Sequence, residues 1–363
     1  MRVDNVKYQT IWLKDRGTVQ VIDQRKLPFD FRIVNLKSTE DIYKAIKEMV
    51  VRGAPLIGVT ASYGIYLALV NASAWDWKGQ LKEAMERLKS ARPTAINLEF
   101  ALNQHKERLA NIYSLEEARN QARKTADELL EQEKESCRKI GENGLSLIEK
   151  IAKEKDSEPV NILTHCNAGW LATIDYGTAT APIYLAHDKG IKLHVWVDET
   201  RPRNQGARLT AWELEKHGIP YTVIADNTGG LLMQQGMVDM VITGSDRTAA
   251  NGDVANKIGT YLKALAANDN DVPFYVAVPL SSIDMNIERG VNGIPIEQRH
   301  GDEVKYIDGY DKGNITTILL TPENARVANY GFDVTPAKYV TWLITEKGLC
   351  KPNKKEIKKL FRS

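Results

Sequence analysis

From residue 160 onward the chain changes rhythm, and that change constrains its fold more than any other feature. Short apolar runs recur at 160–164, 192–197, 221–225, 238–243, 274–278 and 316–320. Helical patterns lie between them, over 171–187, 206–217, 231–236 and 254–267. Runs too short for helices, alternating with helices, predict a parallel sheet covered on both faces. In such sheets ligands bind outside the carboxyl ends of the strands, so the residues just after each run matter most. Here they are His165-Cys166-Asn167, Asp198-Glu199-Thr200, Asp226-Asn227 and Gly244-Ser245-Asp246-Arg247. Polar and reactive side chains collect at every one of these ends.

The part before residue 160 reads differently. Patterns at 7–13 and 18–22 predict a short antiparallel sheet, and helices are expected over 39–51 and 55–70, either side of Arg52-Gly53-Ala54-Pro55. A charged stretch at 115–151 keeps apolar residues at helical spacing (Ala126, Leu129, Leu130) and reads as a connecting helix with a solvated face. The expectation is an α/β chain with a smaller, mainly helical N-terminal domain carrying the short sheet (1–125) and a parallel-sheet domain (126–363).

Composition narrows the function. With 49 Lys plus Arg against 47 Asp plus Glu, the formal charge is +2, without the basic excess of a duplex-binding protein. MRVDNVKYQT has charges and no apolar core, and the apolar runs read as well short of the ~18 residues of a membrane span, so neither a secretory signal nor a membrane helix is expected. Three cysteines, Cys137, Cys166 and Cys350, form no CxxC pair; reduced thiols in a cytoplasmic protein fit best. Dinucleotide GxGxxG after the first sheet strand, Walker, HExxH and GxSxG motifs are absent, and the six histidines show no metal-ligand spacing. His165 and Cys166 adjoin, but neighbours on an extended strand point to opposite faces, which speaks against a thiol–imidazole dyad.

Individual residues carry two readings each. Asp246 after an apolar run suits acid–base work at a cleft, or an N-cap for the helix expected near Val254. Cys166 is a small buried hydrophobe, or a reactive thiol before a helix N-terminus. Arg52 in Arg-Gly-Ala can present a guanidinium fork and backbone N–H groups to an oxyanion. Arg92 precedes a proline, and Lys257 lies near the start of the 254–267 helix. Taken singly, each of these cations reads first as a surface charge.

Five segments together resemble a known family. They are Arg52-Gly53-Ala54-Pro55-Leu56-Ile57-Gly58, Arg92-Pro93-Thr94-Ala95, and Thr164-His165-Cys166-Asn167-Ala168-Gly169. The fourth is Asp198-Glu199-Thr200-Arg201-Pro202 running into Gln205-Gly206-Ala207-Arg208-Leu209-Thr210. The fifth joins Gly244-Ser245-Asp246-Arg247 to the 250–260 stretch with Asn251-Gly252-Asp253-Val254-Ala255-Asn256-Lys257. Over roughly residues 1 to 345 the chain is similar to the methylthioribose-1-phosphate isomerases, within the superfamily of translation initiation factor two-B regulatory subunits. That resemblance implies a Rossmann-like C-terminal domain, a homodimer, no cofactor and no metal. It implies conversion of 5-methylthioribose 1-phosphate to 5-methylthioribulose 1-phosphate in methionine salvage.

By the same resemblance Asp246 is the proton donor and Cys166 assists the transition state. Arg52, Gly53, Ala54, Arg92, Gln205, Asn256 and Lys257 form the substrate-binding set. The chemistry asks for an acid, because a phosphate ester on the anomeric oxygen forbids spontaneous ring opening. Three places depart from the family pattern: Ser245, Asn227-Thr228-Gly229-Gly230 and Trp170, all expected to line or flank the cleft. They leave open a 5-deoxyribose 1-phosphate isomerase. A non-catalytic initiation-factor-like subunit is the other alternative, and the presence of both Cys166 and Asp246 argues against it.

Overall fold

The computed structural model describes residues 1–92 and 95–362. Its main sheet has the strand order Gly348–Cys350, Trp342–Thr345, Phe274–Ala277, Met240–Thr243, Val160–Thr164, Leu193–Asp198, Tyr221–Ile224. Neighbours run parallel except for the antiparallel edge strand Gly348–Cys350. Met240–Thr243 and Phe274–Ala277 are buried at every residue, as central strands covered on both faces must be. The chain starts in the middle at Val160–Thr164 and walks outward through Leu193–Asp198 to Tyr221–Ile224. It then crosses back to Met240–Thr243 on the other side of its first strand. The direction of winding reverses between Val160–Thr164 and Met240–Thr243, and the crossovers there diverge to leave a crevice at the strand ends.

Two expectations about this region are corrected. The run at 316–320 belongs to an exposed antiparallel hairpin, Tyr306–Asp311 with Asn314–Leu319. Its turn, Lys312-Gly313, has φ of 47° and 90°, the conformation a two-residue hairpin loop requires. The parallel strand next to Phe274–Ala277 is instead Trp342–Thr345. The helix expected over 254–267 begins only at Thr260. Val254–Lys257 is a strand, paired antiparallel with Arg247–Ala249 and Phe332–Thr335 in a second sheet. The Ala- and Lys-rich composition favours helix locally, and the two strand partners override it.

The N-terminal part has an antiparallel sheet of Ile11–Asp15, Thr18–Ile22 and Ile33–Leu36, and the helices Thr39–Lys47, Ala54–Asn71, Trp77–Lys89 and Ile96–Leu109. Helix Ala54–Asn71 corrects the reading that no apolar run nears a membrane span: its 18 residues carry no charge and pass by length and hydropathy. They are 78% buried within the protein, so the helix is the core element around which its neighbours pack. Helix Leu115–Glu154 joins the two halves. Ala118, Ala122, Ala126 and Leu130 face the N-terminal core, whereas Ile140, Leu145 and Ile148 face the core under the main sheet. One rigid rod therefore packs against both cores, which fixes the N-terminus of Ala54–Asn71 against the crevice.

Candidate active site

The wall on the N-terminal side is built by Arg52-Gly53-Ala54. Gly53 has φ of 97°, and a Cβ there would lie 2.3 Å from the carbonyl oxygen of Ala172, so both backbone and space demand glycine. That turn starts helix Ala54–Asn71, whose first intrahelical bond is Ile57 N–H to Gly53 O at 3.0 Å. The N–H groups of the opening turn have no helical carbonyl to bond and carry the positive end of the dipole. Gly53, Ala54 and Ile57 line the cavity. Buried Arg52 is held by Asn167: one guanidinium nitrogen donates to Asn167 Oδ1, the other to Asn167 O at 2.6 Å.

The opposite wall comes from the two strand ends at the switch point. Cys166 follows Val160–Thr164 by two residues and has φ of 66°, an uncommon conformation for a residue with a side chain. It persists because its backbone is gripped on both sides: Cys166 N–H donates to Thr200 Oγ1 at 2.8 Å, and Thr210 Oγ1 donates to Cys166 O at 2.7 Å. Its thiol points at Gln205 Oε1, 3.4 Å away. Asp246 follows Met240–Thr243, and its N–H donates to Ala255 O at 3.0 Å. No helix starts there, so the N-cap reading of Asp246 has nothing to cap. Arg247 and Ala255 are register partners, as are Lys257 and Phe332, and all four line the same cavity as Cys166 and Asp246.

Of the site residues expected from sequence, Arg52, Gly53, Ala54, Arg92, Cys166, Gln205, Asp246 and Lys257 line this one cavity. Asn256 does not. On the strand Val254–Lys257 side chains alternate, so Ala255 and Lys257 face the cavity and Asn256 the other side, where its amide donates to Thr260 Oγ1 at 3.0 Å. Pro93 and Thr94 of the second motif lie outside the described residues. Trp170, Ser245 and 227–230 are also absent from the wall. Trp170 is buried with its ring 6.1 Å from Trp212, and Ser245 Oγ lies 2.9 Å from Thr248 Oγ1. The apolar side of the cavity is instead Met49, Ile57, Ala95, Ile294, Pro295 and Phe332. Residues 294, 295 and 332 come from segments with no local motif: strand pairing brings in Phe332, and Ile294 and Pro295 follow the short helix Gly290–Gly293.

Electrostatics sort the groups into roles. Burial pushes the Asp246 carboxyl above the usual carboxylate range, against the opposing pull of Lys257, Arg52 and Arg92. Burial likewise raises the Cys166 thiol, opposed by Arg52 and Lys257, and lowers the Lys257 ammonium, opposed by Cys166 and Asp246. The helix expected at 171–187 to stabilise a thiolate is replaced by a three-residue turn, Trp170–Ala172, with an α-helix only at Ala181–Asp188. Cys166 therefore rests as a thiol and Asp246 is biased towards its acid form. The cations are differently engaged. Lys257 Nζ donates to Gly331 O at 3.0 Å, while Arg92 pairs with Glu297 at 3.4 Å and leaves its buried Nε without a partner among the described residues. Arg247 is taken up by Asp284 at 2.7 Å.

One cluster, His165, Asp198 and Asp226, brings ligand-type atoms within 4.8 Å of one another, which the histidine spacing did not suggest. Its positive charge is supplied from within: Lys263 Nζ lies 3.1 Å from Asp198 Oδ2 and donates to Asp226 O. The Asp226 carboxylate accepts the N–H groups of Thr200 and Arg201, each at 2.7 Å.

Comparison with known proteins agrees with this architecture. Residues 50–352 match the sequence profile of the initiation factor 2 subunit family. A methylthioribose-1-phosphate isomerase of Brucella anthropi is 55% identical over 364 residues, covering 99% of each chain. One of Sulfurimonas denitrificans is 55% identical over 359, covering 98% of this chain and 99% of that one. Among solved structures, 5-methylthioribose 1-phosphate isomerase from Pyrococcus horikoshii superposes with a TM-score of 0.85 at 39% identity, over 98% of this chain and 96% of that one. The translation initiation factor eIF-2B subunit delta from A. fulgidus superposes at 0.81 and 36%, over 98% and 100%.

Proposed function

The chain belongs to the initiation factor 2 subunit family, in its methylthioribose-1-phosphate isomerase branch, and from that premise we propose that it isomerises 5-methylthioribose 1-phosphate to 5-methylthioribulose 1-phosphate. The observation that carries the proposal is the meeting of Cys166 and Asp246, from two adjacent strand ends, in one cavity with Arg52, Arg92 and Lys257. The three cations and the opening turn of helix Ala54–Asn71 suit a phosphate dianion. An apolar side suits a methylthio group.

Asp246 gives its proton to the ring oxygen, which leaves C1 and becomes the C4 hydroxyl. Hydrogen moves from C2 to C1, and loss of the C2 hydroxyl proton makes the ketone and restores the carboxylic acid. Cys166, a thiol in a buried setting, steadies the charge that develops while the hydrogen moves. Gln205, which faces the thiol, holds a sugar hydroxyl. Asn256 turns its amide away from the cavity to Thr260 Oγ1, so it supports the strand behind Lys257 and holds no sugar hydroxyl. The cytoplasm as location and a homodimer as assembly belong to the same proposal.

The test is turnover of 5-methylthioribose 1-phosphate beside 5-deoxyribose 1-phosphate, ribose 1,5-bisphosphate and free methylthioribose. One methylthio group in an apolar pocket discriminates by only about 1–3 kcal/mol, so the deoxy sugar should react more weakly. The unphosphorylated sugar should not react. A preference for the deoxy sugar would move the assignment to 5-deoxyribose 1-phosphate. The likeness to the A. fulgidus initiation factor subunit gives the rival reading of a non-catalytic subunit, and co-purification with an initiation factor alongside inertness towards every pentose 1-phosphate would favour it.

A further inference from the structure

We propose that Glu213 is a positioning residue for the phosphate-binding Arg52, acting through Asn167; the inference rests on the isomerase reading for its substrate. Glu213 is buried, at 1% exposure, and does not line the cavity. Its carboxylate accepts four donors: Asn167 Nδ2 at 3.0 Å, Leu171 N–H at 2.9 Å, Trp170 N–H at 3.2 Å and the Tyr184 hydroxyl at 2.7 Å. A carboxylate only accepts, so it obliges Asn167 to turn its NH2 inward. Asn167 Oδ1 must then face outward, where it takes one arm of the Arg52 guanidinium, and the Asn167 carbonyl takes the other. The amide orientation of Asn167 is thus set from behind by Glu213 together with Thr210, whose Oγ1 gives its own proton to Cys166 O and accepts from Asn167 Nδ2 at 3.1 Å.

The local backbone is shaped for this delivery. Gly206–Thr210 is a π-helical turn ahead of helix Ala211–His217. In a π turn residues five apart stack on one face, whereas in an α-helix they diverge. Gln205 and Thr210, five apart, both reach Cys166, one at its thiol and one at its carbonyl. Glu213, three residues on, follows on the same side and reaches Asn167. Close approach is possible because residue 169 is glycine: a Cβ there would lie 1.7 Å from Glu213 Oε2. Burial pushes the Glu213 carboxyl above its usual range, against the pull of Tyr184, Asn167, Leu171 and the Arg52 charge; the accept-only role rests on the geometry, in which both oxygens face donors. Nothing about a tryptophan-flanked glutamate in a helix marks it for this role in the sequence.

Glu213→Gln keeps size and removes the obligation. One end of the new amide donates, and it must face a donor, either Asn167 and Leu171 or Trp170, so the hold on Asn167 falls largely to Thr210 and the Oδ1 acceptor of Arg52 loosens, while the Asn167 carbonyl stays in place. The experiment is a double-mutant cycle with Arg52→Ala, read by inorganic phosphate binding in calorimetry and by steady-state KM and kcat for 5-methylthioribose 1-phosphate. Phosphate stays bound throughout the reaction, so Glu213→Gln should raise KM and the phosphate Kd about tenfold while kcat moves less than threefold. In the Arg52→Ala background Glu213→Gln should add less than twofold. Unchanged phosphate affinity, or the full effect persisting without Arg52, would overturn the proposal. If Glu213→Gln does not fold, Asn167→Ala replaces it in the cycle with the same expected pattern. Phosphate binding reports on Arg52 even if no sugar phosphate turns over, so failure of the isomerase reading shows up separately.

Discussion

His165, the residue before Cys166, donates from Nε2 to the carbonyl oxygen of Ile258, the residue after Lys257, at 2.8 Å. Its other ring nitrogen lies 2.7 Å from Asp198 Oδ2. Each ring nitrogen faces an acceptor, so one imidazole ties the ends of the Val160–Thr164, Leu193–Asp198 and Val254–Lys257 strands together. The ring fits because residue 259 is glycine: a Cβ there would come within 2.9 Å of His165 Cε1. Cys166 and Lys257 are therefore held in register by a side chain outside the cavity.

Removing that ring should cost both stability and site geometry. His165→Ala strips a donor from Asp198, which is fully buried and whose Oδ1 already has no partner among the described residues, so a loss of about 3 kcal/mol is expected by urea denaturation. Lys257 should also drift, raising KM. A variant with lowered stability but wild-type KM would show that the ring does not set the Cys166–Lys257 spacing.

Asp246→Asn keeps shape and removes the proton. Turnover should fall by about a hundred- to ten-thousandfold, with KM little changed because Arg52, Arg92 and Lys257, the cations proposed to hold the phosphate, remain. The pH behaviour follows from the raised carboxyl. The acid is the working form, so wild-type turnover should decline as pH rises past the raised value. Stability moves the same way: the contribution of Asp246 is fully present below the ordinary 3.8 and is lost as pH rises through the raised pKa. Urea midpoints of both proteins across pH should show wild type losing ground to the Asn variant at higher pH. Parallel curves would contradict a buried, titrating Asp246.

How much of this was legible beforehand depended on range. The central strands were readable because burial on both faces writes continuous apolar runs, and the reactive residues after them followed from the rule for strand ends. The Val254–Lys257 strand was not readable, because its partner strands at 247–249 and 332–335 impose it against local propensity. Asn256 was misplaced for the same reason: its direction depends on strand parity, and a helix assignment conceals that. Likewise the membrane-like composition of Ala54–Asn71 reflects a helix surrounded by protein, which no local window distinguishes from one surrounded by lipid.

Cys166→Ser should lower turnover strongly, since a hydroxyl is smaller and far less acidic than the thiol it replaces. The control variants differ in kind. Cys350 ends the antiparallel edge strand Gly348–Cys350 and is buried, but its thiol already donates to Lys351 O, a bond that a serine hydroxyl can keep, so Cys350→Ser should keep near-normal activity at a smaller cost in stability. Cys137 has no exposed surface, so Cys137→Ser places a hydroxyl in the core and should lose about 1–3 kcal/mol while active molecules keep their kcat. Activity per folded molecule, with folding checked by thermal melts, separates these outcomes. A kcat defect in either control would undo the special place of Cys166.

Glu133 extends the reasoning to the contact between the long helix and the helix that opens on the cavity. It borders a small void with Pro55, Gly58, Val59, Asn97 and Phe100, and its Oε2 has no partner among the described residues. Burial pushes its carboxyl up to about 7, with Glu346 adding to the rise and Ser281 opposing it. The folded state therefore holds this proton over a range in which the unfolded chain, at 4.5, has released it. That contribution is complete below pH 4.5, declines as pH rises, and is spent above about 7. Between pH 5 and 8 wild type should lose about 1–2 kcal/mol relative to Glu133→Gln, after allowance for solvent screening. Urea denaturation of both proteins at the two pH values measures the difference. Equal pH dependence would mean that Glu133 is ionised throughout, and that water reaches the seam between Leu115–Glu154 and the first turns of Ala54–Asn71.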